Sequence, residues 1–243
     1  MTTIDRTAPR LRSDSVFFTS MALAMTAAVF TGFARSWFLK SIYHAPPDLS
    51  PLMIVHGAVF TAWMAILIAQ TSLVANDRRD IHRKLGVAGF IVAMLMLVLG
   101  TVLAVDALKR GFAPVGAPPA PIFFAIPIGD MVAFAALLAV GWRNRPRTDY
   151  HKRYMLLATI TLLDAAFARV PLGFIQSGGI VVAFALADVF VLALGAYDVA
   201  TRRRVHPATL IGGAIVIGSQ VLRLAIGGTA AWQHFALWLA GAV

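Results

Sequence analysis

Polar and hydrophobic positions along this chain fall into blocks. Apolar runs of roughly 20 residues recur, each long enough to cross a hydrocarbon core of about 30 Å, and short polar stretches separate them. Seven runs are predicted as helices, at residues 16–37, 51–75, 85–107, 121–142, 153–175, 179–200 and 207–228. A short amphipathic or re-entrant segment, "TAAWQHFALWLAGAV", occupies 229–243. Helix is the element expected throughout, because an open strand would leave backbone groups unpaired in lipid. The pattern predicts an all-α integral membrane protein with a polar cytoplasmic tail over 1–15 and one seven-helix membrane domain over 16–228. The first apolar run is too long for a signal-peptide core and is expected to be retained.

Composition supports this reading. Hydrophobic residues make up 59% of the 243 and charged residues only 13%, where a soluble domain would carry about a quarter. The absence of cysteine excludes disulfides, thiolate metal ligands and iron–sulfur clusters. The net charge of +10 is a matter of topology. Fifteen of the 21 Lys and Arg residues fall on one side of the predicted spans, in the tail and in the loops near residues 78–84, 143–153 and 202–204. Three, Lys40, Lys109 and Arg110, fall on the other. The positive-inside rule then predicts a cytoplasmic N-terminus and an outer C-terminus. Cations spread over four short loops also exclude nucleic acid as the partner.

Two polar knots repeat. "RDIHRKLG" at 79–86 and "TDYHKRYM" at 148–155 both read Asp-x-His-basic-basic, and both open an apolar run on the cytoplasmic side. Pro51 precedes His82 by 31 residues and Pro121 precedes His151 by 30, so 51–107 and 121–175 read as two related hairpins forming a four-helix core. Asp80 and Asp149 suit helix N-termini, and the cations suit lipid headgroups. His82 and His151, at equal depth on equivalent helices, are either interfacial hydrogen-bonders or a facing pair that could ligate haem iron.

Around these residues, "HGAVFTAWMAILIAQTSL" followed by "HRKLG" resembles the cytochrome b561-like helix bundles. More closely, it is similar to a family of bacterial predicted membrane proteins with a domain of unknown function. That family shows an HRxLG stretch, here His82 to Gly86, and an H-x-x-x-M stretch followed by an arginine, here His151, Met155 and Arg169. The resemblance covers residues 51–175 and implies haem b held by His82 and His151, with His56 marking an outer ligand or electron-donor site. The fourth segment carries Asp130 and no histidine to partner His56, so one bis-histidine haem is the most that the resemblance implies.

Ionisable residues inside the spans form the second candidate region, since such groups line cavities or pair with one another. Arg35, Asp130, Asp164, Arg169, Asp188 and Arg223 could pair structurally or line an outer polar pocket holding an anion. His56 with Asp130 and Asp106 could hold a divalent metal. His56, Trp63 and Gln70 recur every seven residues and share one inward face, as a cofactor wall or a packing surface. His151 and Arg169, 18 residues apart, would share a stripe on a continuous fifth helix, with Asp164 off it. Pro127 and Pro171 are expected to kink the fourth and fifth helices.

These features predict a b561-like haem-binding or electron-transfer protein of the bacterial inner membrane. A small-solute transporter or sensor using the outer pocket, and a metal-dependent membrane enzyme, are the alternatives. The expected partners are the lipid bilayer, a quinone or other small ligand, and a second copy of the chain.

Overall fold

The computed structural model describes residues 7–44, 48–114 and 117–242; the start of the expected tail, with Arg6, lies outside them. Helices dominate, and no strand occurs among the described residues. The helix α1 (Thr7–Phe33) runs into a π-helical turn (Ala34–Phe38) and the short α2 (Lys40–Tyr43). Two long antiparallel helices follow, α3 (Pro51–Ala75) and α4 (Arg79–Lys109). Next come α5 (Ala120–Phe123), α6 (Ala125–Arg143), α7 (Thr148–Ile160) and α8 (Leu163–Phe167). The chain closes with α9 (Gly173–Arg202), α10 (Pro207–Gly227) and α11 (Ala230–Ala240).

Six helical stretches are long and apolar enough to cross a membrane, which makes this a multi-pass membrane protein by helix length and composition. Their outward faces are apolar, with Ile91, Val98, Leu192, Leu210 and Val221 more than half exposed. A water-soluble fold would bury such residues. Local signals set several helix starts. Ser50 caps α3, its hydroxyl accepting the Met53 N–H at 3.3 Å, and Pro51 takes the first position, where a missing N–H costs nothing. His206 and Pro207 start α10 in the same way, with the imidazole Nδ1 accepting the Ala208 N–H at 3.1 Å.

The fifth segment departs from expectation. A continuous helix over 153–175 is replaced by α7 and α8, broken at Thr161–Leu162. The Thr159 hydroxyl donates back to the Met155 carbonyl at 3.1 Å and Thr161 to the Ala158 carbonyl at 2.7 Å, contacts that bend helices. The chain then leaves helix after Phe167, so Pro171 lies in a connector and kinks nothing. In the fourth segment the break falls at Phe124, between α5 and α6. Pro127 supplies the reason, since it cannot donate to the Phe123 carbonyl and its ring crowds it. In α9 the helix begins six residues before the expected 179, across a kink at Gly179, whose φ of 58° and ψ of −147° suit only glycine.

Packing follows the hairpins. Helices α3 and α4 pair most extensively, then α6 and α7, and α4 joins the two hairpins through α6. Around them α1 covers α3 and α8, while α10 seats against α6 and α7. The α1–α8 approach is backbone to backbone: a Cβ on Gly32 would come within 2.1 Å of the Ala166 carbonyl oxygen.

Candidate functional site

Both polar knots lie inside helices. Helix α4 starts at Arg79 and α7 at Thr148, so His82 and His151 are each the fourth helical residue, and their N–H groups bond the Arg78 and Arg147 carbonyls at 3.0 Å. Asp80 and Asp149 therefore sit in the first turns, and the cap positions belong to Arg78 and Arg147 without side-chain capping bonds. At 1.5 Å per residue α4 is about 46 Å long. That exceeds the hydrocarbon thickness and leaves the His82 turn near the interface.

The two imidazoles face each other, with ring centroids 6.4 Å apart and planes at 86°. Each is anchored on the preceding helix of its own hairpin. His151 Nδ1 lies 2.8 Å from the Gly141 carbonyl oxygen and His82 Nδ1 3.4 Å from that of Gln70. A carbonyl only accepts, so a neutral ring keeps its proton on Nδ1 and its lone pair on Nε2. Gly141 holds one of the last four carbonyls of α6, which lack intrahelical donors. Its missing side chain lets α7 come close, since a Cβ there would lie 3.2 Å from the Tyr154 Cβ. The cations Arg79 and Arg83 bear on His82, and Arg145 bears on His151 while stacking on Trp142 at 3.6 Å.

The inward stripe on α3 divides along its length. Trp63 is buried and donates its indole N–H to the Thr159 hydroxyl at 3.2 Å, tying α3 to α7. Gln70 supplies its backbone carbonyl to His82, while its buried side-chain oxygen has no partner. His56 sits 14 residues before Gln70, about 21 Å along the helix, so it belongs to the opposite end of the bundle. Its ring stacks on Phe60 at 4.2 Å, and its buried Nδ1 is unpartnered.

That far end holds a compact ion cluster. One Arg223 nitrogen, Nη1, donates to the Asp130 carboxylate and, at 3.3 Å, to that of Asp164. All three side chains are buried. Nη1 also reaches the Ile126 carbonyl at 3.3 Å and Nε the Ser219 carbonyl at 3.1 Å, while the stem passes over Gly129, where a Cβ would collide at 2.1 Å. Asp188 stands beside the cluster, accepting from the Gln220 amide at 3.0 Å.

Of the six residues expected at an outer pocket, Asp130, Asp164 and Arg223 meet in this cluster and Asp188 stands beside it. Arg35 is exposed over Tyr43, and Arg169 is exposed over Phe33, donating to the Ala165 carbonyl. With α7 ending before α8, His151 and Arg169 share no continuous stripe. Asp164, expected off that stripe, is the buried partner of Arg223. Two of the residues expected to hold a metal carry ion pairs. Asp106 pairs with Arg110 at 2.9 Å, Asp130 is taken by Arg223, and no group of three or more potential ligands occurs among the described residues.

One network was not foreseen. Arg153, assigned to lipid headgroups, is fully buried and bonds Asp198 of α9 through Nε at 3.0 Å and through Nη2. Asp198 also accepts from the Thr209 hydroxyl at 2.5 Å and the His206 N–H at 3.1 Å. The available signal was a second acid, at position 198, in a run whose other charged residue is Asp188. Near it, Asp14 of α1 binds Lys152 and the Tyr197 hydroxyl, and Arg202 binds Asp149 at 2.9 Å. No family model matches this chain, and neither a curated protein nor a solved structure matches it.

Proposed function

We propose that this protein binds one b-type haem between His82 and His151 and carries electrons in the bacterial inner membrane. The observation that carries the reading is the facing, anchored imidazole pair. Their ring centroids are 6.4 Å apart, a separation at which both imidazoles could be offered to one haem iron. Ligating histidines characteristically donate their second ring N–H to a carbonyl, and both do so here, each to its own hairpin. Arg79, Arg83 and Arg145 give this end a positive field suited to acidic haem substituents. When bound, the haem supplies a reversible one-electron change at iron. The chain's own residues fix the ring orientation and keep Nε2 unprotonated through the two carbonyl contacts.

The topology belongs to the same reading. On this reading α7 and α8 together make the fifth of seven crossings, and the excess of loop cations on one side supports a cytoplasmic N-terminus and an outer C-terminus. His56, the imidazole at the far end, marks the outer ligand or electron-donor site on this reading, with a quinol as a candidate donor.

Purified full-length protein from haem-replete cells is expected to show a Soret band, and sharp α and β bands on reduction. His82→Ala and His151→Ala are each expected to abolish the low-spin spectrum. A colourless preparation, or a spectrum surviving both substitutions, rejects the reading. Transport or sensing of a small solute is the second reading, favoured by the buried Asp130–Arg223–Asp164 cluster. It predicts a colourless protein whose ligand-dependent thermal stabilisation disappears in Asp130→Asn.

A further inference from the structure

The ions at the far end of the bundle do not balance. Asp130 and Asp164 are both buried and both served by one guanidinium nitrogen of Arg223. The other Arg223 contacts go to backbone carbonyls and the Ser219 hydroxyl, so they bring no second charge. The surroundings supply no clear remedy. Helix α1 meets α8 through Gly32, and α4 meets α6 through Gly100, which faces the Met131 side chain. From α9 comes another acid, Asp188, whose hydrogen-bond partner is the neutral Gln220. Arg169, beyond α8, interacts with Asp164 by charge but donates its hydrogen bond to the Ala165 carbonyl. Even counted in full, Arg169 and Arg223 face three carboxylates. His56, near Arg169, is neutral or positive, and neither form is bonded to the carboxylates.

The two carboxyl groups also converge on one point, since the same Arg223 nitrogen, Nη1, is bonded to both. Two ionised carboxylates gathered on one donor repel each other. A buried excess charge inside a membrane is also far costlier than a neutral acid.

We infer that Asp130 and Asp164 hold one proton between them, bridging the two carboxyl groups against Arg223 as a single exchangeable proton site. The ligand is the proton itself. Gly129 admits the guanidinium stem, and the Ile126 and Ser219 carbonyls fix the guanidinium so that one nitrogen meets both acids. The site is independent of the haem reading and stands about 16 Å along α6 from Gly141, the anchor of His151.

Infrared spectroscopy of the full chain in lipid nanodiscs tests this. Wild type at neutral pH is expected to show a protonated-carboxyl C=O band that shifts in D2O. Asp130→Glu and Asp164→Glu, which retain a carboxyl for Arg223, are each expected to move its frequency. The double Asn substitution removes it, and Asp188→Asn leaves it in place. Absence of the band in wild type, a band unmoved by both Glu variants, or one lost only in Asp188→Asn overturns the inference. A sodium-dependent thermal shift in place of the band would assign the excess charge to a metal cation and overturn it equally.

Discussion

Replacing Asp198 with alanine removes one partner of a fully buried pair. It leaves the Arg153 guanidinium without its carboxylate, and the Thr209 hydroxyl and His206 N–H without their acceptor. Breaking a buried ion pair from one side costs about 3–5 kcal/mol, mainly because the surviving charge is stranded. Against a total stability of roughly 5–15 kcal/mol this is a large fraction. By the size scaling of soluble domains, about 2–4 °C per kcal/mol, the melting temperature should fall by about 6–20 °C. The assay is thermal unfolding in one detergent, followed by tryptophan fluorescence. If stranding of the charge is the cause, adding Arg153→Met to the Asp198→Ala background should recover most of the loss. A residue of about 1–3 kcal/mol should remain from the unpaired His206 N–H. A single-variant loss below about 1 kcal/mol, or a second substitution that deepens the loss, refutes the reasoning.

Other outcomes follow from particular contacts. Gly32→Ala should separate α1 from α8, because the neighbouring atom is a backbone carbonyl that cannot turn aside. A loss of about 1–3 kcal/mol and faster proteolysis of α1 are expected. Thr159→Val should cost about 1–3 kcal/mol by orphaning the buried Trp63 indole N–H, visible as a shift in tryptophan emission. At the α9–α10 turn, burial and then the Arg153 and Arg202 charges hold the His206 imidazole below its ordinary value of 6.5. The folded chain thus resists a proton that the unfolded chain accepts. Stability should be fully present above about pH 6.5 and decline as pH falls below it, and His206→Asn, which keeps a capping oxygen, should flatten that slope in melting curves.

Helix boundaries were most legible where a single residue dictated them. Ser50–Pro51 and His206–Pro207 set the starts of α3 and α10, and of the seven apolar runs six form helices long and apolar enough to cross a membrane, because lipid demands long apolar helices. The break at Thr161–Leu162 was hidden, since threonine suits an apolar run until its hydroxyl turns back onto the helix. Gly179 hid a kink in the same way, through a backbone conformation that composition does not display.

The sites divide along the same line. Chemistry-bearing residues announce themselves in an apolar chain, so His82, His151, Asp130, Asp164 and Arg223 were all visible from the sequence. Their partners were not. Whether Arg223 meets an anion or Asp130, and whether Arg153 reaches headgroups or Asp198, depends on which helix faces close across the bundle. The repeat of Asp-x-His-basic-basic placed two histidines at matching positions of two hairpins. Only the packing of α6 against α4 and α7 turned those rings toward each other. Sequence fixes the depth of a residue through helical rise, whereas the angle between helices comes from contacts remote in the chain, such as Gly100 against Met131.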